Sequence, residues 1–187
     1  MPTYIDRMRL NREIARRLGL AALLCLSSGC SSRPPLAVEA HVDIPRFMGD
    51  WYVIGCIPTR IERAAYAPKE SYSLDPRGRV QTVFTFHRGA FDGPLKRYTP
   101  TGFVRDGSGG AIWGMQFIWP IRADYRIMYV DPAYTMTVIG REKRDYAWIM
   151  ARAPRIAAAD YERLRALLAA QGYDVSLLRR MPQPESP

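Results

Sequence analysis

A closed all-β barrel is the fold class this sequence predicts: eight antiparallel strands running up and down, with one C-terminal α-helix packed outside. Three observations predict it. Short segments of alternating apolar and polar residues follow one another from Gly49 to Arg152, separated by Pro, Gly and Asp turns. Neighbours of this kind pair as hairpins, and closure removes the exposed edges. After Pro154 the apolar period changes from 2 to 3.6 over Ala157 to Gln171, with Tyr161, Leu164, Leu167 and Leu168 on one stripe. A helix following a barrel lays that stripe on the outer wall. Finally, Gly49-Asp50-Trp51-Tyr52 enters the first strand through a glycine and places a large ring beside it.

The elements follow in order. Val42 to Phe47 reads as a short helical turn feeding the strand Tyr52-Val53-Ile54. Ser71 to Leu74 ends in Asp75-Pro76-Arg77-Gly78, a hairpin turn. Val80 to His87 places Val80, Thr82, Phe84 and Phe86 on one face. Leu95 to Val104 is interrupted by Pro100, so it bends or lies at an edge. Ala111 to Trp119 groups Trp113, Met115, Phe117 and Trp119, and Ala123 to Val130 groups Tyr125, Ile127 and Tyr129. Tyr134 to Ile139 and Asp145 to Arg152 complete the eight, the last grouping Tyr146, Trp148 and Met150. Eight strands leave an interior that holds one small ligand. Tyr173 to Leu178 is expected to add a short strand or ordered tail, and 184–187 a disordered end.

The chain has 187 residues, 48% hydrophobic and 24% charged, which suits one domain with a buried core. Its net charge of +9 favours anionic surfaces. The basic residues are scattered rather than aligned on one helix or interleaved with aromatics, which argues against a nucleic-acid partner.

The first 29 residues have the order of an export signal: five arginines against two acids, the apolar run Leu18 to Leu26, then Ser27-Ser28-Gly29-Cys30. That ending resembles the lipobox of bacterial lipoproteins, with Ser27 where leucine is commonest. The resemblance implies cleavage before Cys30, acylation of its sulfur (palmitate among the chains) and outer-membrane sorting, because Ser31 is not the retaining aspartate. Several acyl chains give stable anchoring. Residues 30–41, with Pro34-Pro35, read as a tether to a domain over 42–183. Cys25 leaves with the signal and Cys30 is acylated, so Cys56 has no disulfide partner and reads as a small buried hydrophobe.

The chain resembles the lipocalin family, and within it the bacterial outer-membrane lipoproteins. Gly49-Asp50-Trp51-Tyr52 fits the opening Gly-x-Trp motif. Asp131-Pro132-Ala133-Tyr134 fits the second motif, between the sixth and seventh strands. Trp148 to Pro154 fits the third, and Gly172-Tyr173-Asp174 after the helix fits the bacterial branch. The resemblance implies a lipocalin calyx and a structural trio of Gly49, Trp51 and Arg152, the guanidinium covering the indole at the closed end. Three departures are expected to reshape the cavity, so the ligand does not carry over with the fold: Cys56 where a basic residue is common, Arg126 where an aromatic is common, and Leu95 near a usual tryptophan.

The inward aromatic faces nominate Val53, Phe84, Trp113, Phe117, Tyr125, Tyr129 and Trp148 as cavity residues. His41 and His87 are the only histidines, and no catalytic triad, phosphate loop or metal-ligand spacing is present. No cofactor and no catalytic residue is expected. The leading expectation is a binding protein for a fatty acid, lysophospholipid or similar amphiphile, acting in transport or envelope maintenance, with a second copy as a homodimer partner. A membrane-anchored interaction barrel lacking a large cavity is the alternative, and a lipocalin-like isomerase or epoxidase the third reading.

Overall fold

A computed structural model of the protein describes residues 33–184. The signal segment and Cys30 lie outside the described residues. Helix α1 (Ile44–Phe47) is capped by the Asp43 carboxylate, which accepts from Arg46 N at 3.1 Å. It leads into β1 (Gly49–Ile57). Then come β2 (Ala65–Leu74), β3 (Val80–Arg88), β4 (Leu95–Tyr98), β5 (Thr101–Val104), β6 (Ile112–Ile118), β7 (Ile121–Val130), β8 (Met136–Gly140) and β9 (Ala147–Ala151). All pairings are antiparallel, and β1 pairs with β9 to close the barrel. β4 and β5 are one strand of the predicted eight, broken at Thr99-Pro100, and both pair with β3. Proline supplies no ladder N–H, but its carbonyl accepts from Thr82 N at 3.1 Å, so the bend keeps one bond.

β2 begins at Ala65, six residues before the predicted start at Ser71. Pro68 hides it: Ala67 takes a φ of 49°, and the pairing with β3 shifts between Tyr66 and Lys69. Here β2 also leaves β1, whose pairing with it stops at Tyr52↔Lys69. The C-terminal segment enters the gap. Strand β10 (Arg179–Arg180) pairs with Gly55 and Cys56. Met181 N donates to Ile54 O at 2.9 Å, and Ala67 N donates to Pro182 O at 2.8 Å. The Gln183 amide donates to Val53 O at 2.8 Å and Pro68 O at 3.0 Å. Of the two expectations for residues 173–178 the ordered tail holds: Val175–Leu177 is a 3₁₀ turn, and the added strand follows it.

Two apolar layers result. The interior holds Phe47, Trp51, Val53, Tyr72, Trp113 and their neighbours. Outside, helix α2 (Ala158–Ala170) lays Tyr161, Leu164 and Leu168 on Ile54, Ile57, Val138 and Ile149. The close approach needs Gly55, where a Cβ would stand 2.9 Å from the Tyr161 ring. Residues 33–39 form neither helix nor strand, and from Leu36 on they are bound to the barrel. Leu36 is buried, Glu39 N donates to Ile127 O at 3.0 Å, and Val130 N donates to Glu39 Oε1 at 3.0 Å. The expected tether is thus docked on the barrel from Leu36 on.

Candidate ligand-binding site

The closed end is assembled from three distant stretches. Trp51 is fully buried, and its indole N–H donates to Phe47 O at 2.8 Å. The Arg152 guanidinium lies 3.9 Å over the indole centroid. It donates to five backbone carbonyls: Arg46, Phe47, Met48, Asp50 and Tyr134, at 2.7–3.2 Å. Gly49 adopts φ 96°, and a Cβ there would meet Arg152 Nη1 at 3.2 Å. The trio inferred from resemblance is thus one packed unit. It stacks under aromatic rings that fill the lower half of the barrel. Phe47 lies 5.5 Å from Trp113, Trp113 stacks on Tyr125 at 5.1 Å, and the Tyr72 and Tyr125 hydroxyls are 2.7 Å apart.

Above this floor a cavity of about 110 Å³ opens to the other end. Phe84, Met115, Phe117, Tyr125 and Trp148 supply apolar wall; Thr59, Glu62, Glu70, Thr82, Asp124 and Arg141 supply polar groups. Of the seven nominated residues, Phe84, Phe117, Tyr125 and Trp148 line it. Val53 and Trp113 face inward but belong to the filled core beneath. Tyr129 does not face inward. A bulge between Ile127 and Tyr129 reverses the alternation, so Met128 and Tyr129 pack in the outer layer, where the Arg163 guanidinium sits 5.4 Å over the Tyr129 ring. Trp119, expected on the face of Trp113, is 82% exposed: β6 ends at Ile118, and Trp119 stands in the turn before β7.

The acids were missed. Glu62 lies in the β1–β2 connection, and Glu70 in the hidden half of β2. The Glu62 carboxyl is buried and accepts from Thr59 N at 2.8 Å, Thr59 Oγ1 at 2.6 Å and Trp148 Nε1 at 2.7 Å. Glu70 accepts from the Tyr72 hydroxyl. Loss of water raises the Glu70 pKa to about 7; the Tyr72 bond opposes this shift, and the Glu62 charge adds to it. Burial is also the first cause raising the Tyr72 and Tyr125 hydroxyls well above their ordinary range. Two polar atoms in the cavity wall have no partner among the described residues: Thr82 Oγ1 and Arg141 Nε. The strand pattern places Thr82 on the inward face of β3 but carries no signal for Glu62, Glu70 or Arg141. No group of three or more metal-ligating side chains occurs among the described residues.

None of the three sequence departures lines the cavity, and Leu95 is exposed on β4. Arg126 spans Asp124 at 2.9 Å and Glu142 at 2.5 Å on the wall. Cys56 is fully buried with its sulfur 3.4 Å from Met181 Sδ, and burial pushes its thiol pKa up, which leaves it inert. His87 is held by Gly93 O at 2.9 Å.

The family model of the lipocalin-like domain matches residues 42–183. The chain belongs to the lipocalin family. Temperature-induced lipocalin-1 of Arabidopsis thaliana is 27% identical over 169 residues, covering 84% of this chain and 88% of that protein. The outer membrane lipoprotein Blc of Escherichia coli K12 is 27% identical over 163 residues, covering 84% and 90%. Among solved structures, insecticyanin of the tobacco hornworm Manduca sexta superposes with a TM-score of 0.65 at 13% identity, covering 82% and 87%. Lobster apocrustacyanin A1 gives 0.60 at 11% identity, covering 83% and 94%. At such identities the likeness concerns the fold. This lipocalin has the family's hydrophobic-ligand-binding architecture, with one end sealed by Trp51 and Arg152 and the other open.

Proposed function

We propose that this lipocalin is an outer-membrane lipoprotein, anchored through Cys30, that binds the apolar end of a small amphiphile for transport or envelope maintenance. The observation that carries the reading is the open cavity, apolar on Phe84, Met115, Phe117 and Trp148, above a sealed floor. Each methylene transferred into it contributes about 0.8 kcal/mol. The rim supports the same reading. Phe117, Ile118, Trp119 and Ile121 at the β6–β7 tip are 54–82% exposed, and Arg122 beside them is exposed as well. An apolar tip next to a cation suits an anionic lipid surface, where amphiphiles are collected or released. The identity with Blc of Escherichia coli supports the location.

The cavity volume favours one refinement. About 110 Å³ is well below the roughly 300–1,000 Å³ that encloses a drug-sized ligand. A fatty acid or lysophospholipid therefore enters by one end and leaves the rest at the mouth. The same volume is the specific observation behind a second reading, a filled barrel serving as a membrane-anchored interaction module. Titration of delipidated protein with a fluorescent fatty acid separates the two. Saturation at micromolar concentration, competed by lysophospholipid, is expected; no saturable signal supports the filled barrel.

A further inference from the structure

We infer that the calyx accepts an amphiphilic cation, an alkylammonium whose charge meets Glu62 and Glu70 and whose chain lies on Phe84, Met115 and Trp148. This rests on the reading of the cavity as a small-molecule site. The charges around the cavity are unevenly matched. Asp124 is held by Arg126 at 2.9 Å, and Arg141 is paired with Asp145 at 3.4 Å. Glu62 and Glu70 form no ion pair among the described residues. Glu62 accepts from three donors, all uncharged, which is the bonding pattern of a carboxylate. Among the described residues Glu70 has only the Tyr72 hydroxyl, itself tied to Tyr125. Glu62 is buried and Glu70 half-buried; a carboxylate short of water and without a cation is unfavourable, and an entering cation relieves that penalty.

A second feature is independent of the acids. Thr82 is 3% exposed, lies on the inward face of β3 and lines the cavity with its hydroxyl unpartnered. The register sets Thr82 opposite Tyr72 and Phe84 opposite Glu70, so this hydroxyl and the Glu70 carboxyl lie one strand apart. An ammonium has several N–H groups to distribute and no need of a donor. It can donate to two carboxylates and one hydroxyl together. A carboxylate ligand in the same place faces like charge. Arg141 Nε, also unpartnered, is the one group that favours an anion.

The experiment is calorimetric titration of the purified, delipidated full chain at pH 8 with octylammonium, octan-1-ol and octanoate. The amine is then protonated and the acid ionised. Octylammonium is expected to bind at least about tenfold more tightly than octan-1-ol, with octanoate weakest. Glu70→Gln and Glu62→Gln should each cut the preference for the amine over the alcohol by about tenfold. Octanoate binding as well as or better than octylammonium overturns the inference and leaves the calyx reading intact. So does a preference unchanged in both variants. Saturable binding of none of the three removes the calyx reading along with the inference.

Discussion

The two ends of this barrel are built from similar residues to opposite effect. At the closed end Arg152 donates to five carbonyls and covers a fully buried indole, and Gly49 clears the space for it. At the open end, among the described residues, a buried hydroxyl and a guanidinium nitrogen lack partners, two carboxyls lack cations, and four large apolar side chains are more than half exposed. A folded chain tolerates such unmatched groups only where the rest over-determines the fold. The contrast therefore separates what holds the molecule together from what it offers a ligand. Substitutions at the first end should move stability, and those at the second should move binding.

The largest expected effect tests the first half of that contrast. Trp51→Ala removes the floor and should lower unfolding stability by about 3–5 kcal/mol in urea denaturation. A loss below about 1 kcal/mol would mean the ring is not the plug. Arg152→Ala leaves five carbonyls with fewer partners and should cost about 2–3 kcal/mol. Arg152→Lys should recover little, because an ammonium cannot span the same fork of acceptors.

Glu70 sharpens the contrast through pH. Its pKa is raised from 4.5 to about 7, chiefly by burial, with Glu62 adding and Tyr72 opposing. Tyr125, Asp124 and Arg141 line the same cavity. Between these two values the folded chain holds a proton that the unfolded chain has released. The native state thus loses stability as pH rises from about 4.5 to 7 and stays lower above. Glu70→Gln should therefore raise the thermal midpoint at pH 8 and leave it nearly unchanged at pH 4; a midpoint lowered at pH 8 would contradict the assignment. The smallest stability effect is expected at the tip. Ile118→Ser with Trp119→Ser should change stability by less than about 0.5 kcal/mol per site. Co-sedimentation with phosphatidylglycerol-containing vesicles should nonetheless fall several-fold; unchanged sedimentation would detach the tip from the lipid surface.

Much of this architecture follows from local pattern alone. Alternation and turn residues specify the strands, the change of period specifies the helix, and Pro100 marks the broken strand. Trp51 and Arg152 are legible because their motifs resemble those of a family, although they are about a hundred residues apart. What only the tertiary structure decided is the parity of each strand and the content of the cavity. A single bulge near Met128 turns Tyr129 to the outside while Tyr125 stays within. Trp119 falls in the turn after β6 and stands in solvent. The facing of a strand residue depends on every bulge before it, and bulges are set by the neighbouring strand, not by the residues that flip. The role of Glu62 and Glu70 is not legible in the sequence for the same reason. Their meaning depends on which charges stand across the barrel, and that is a property of closure.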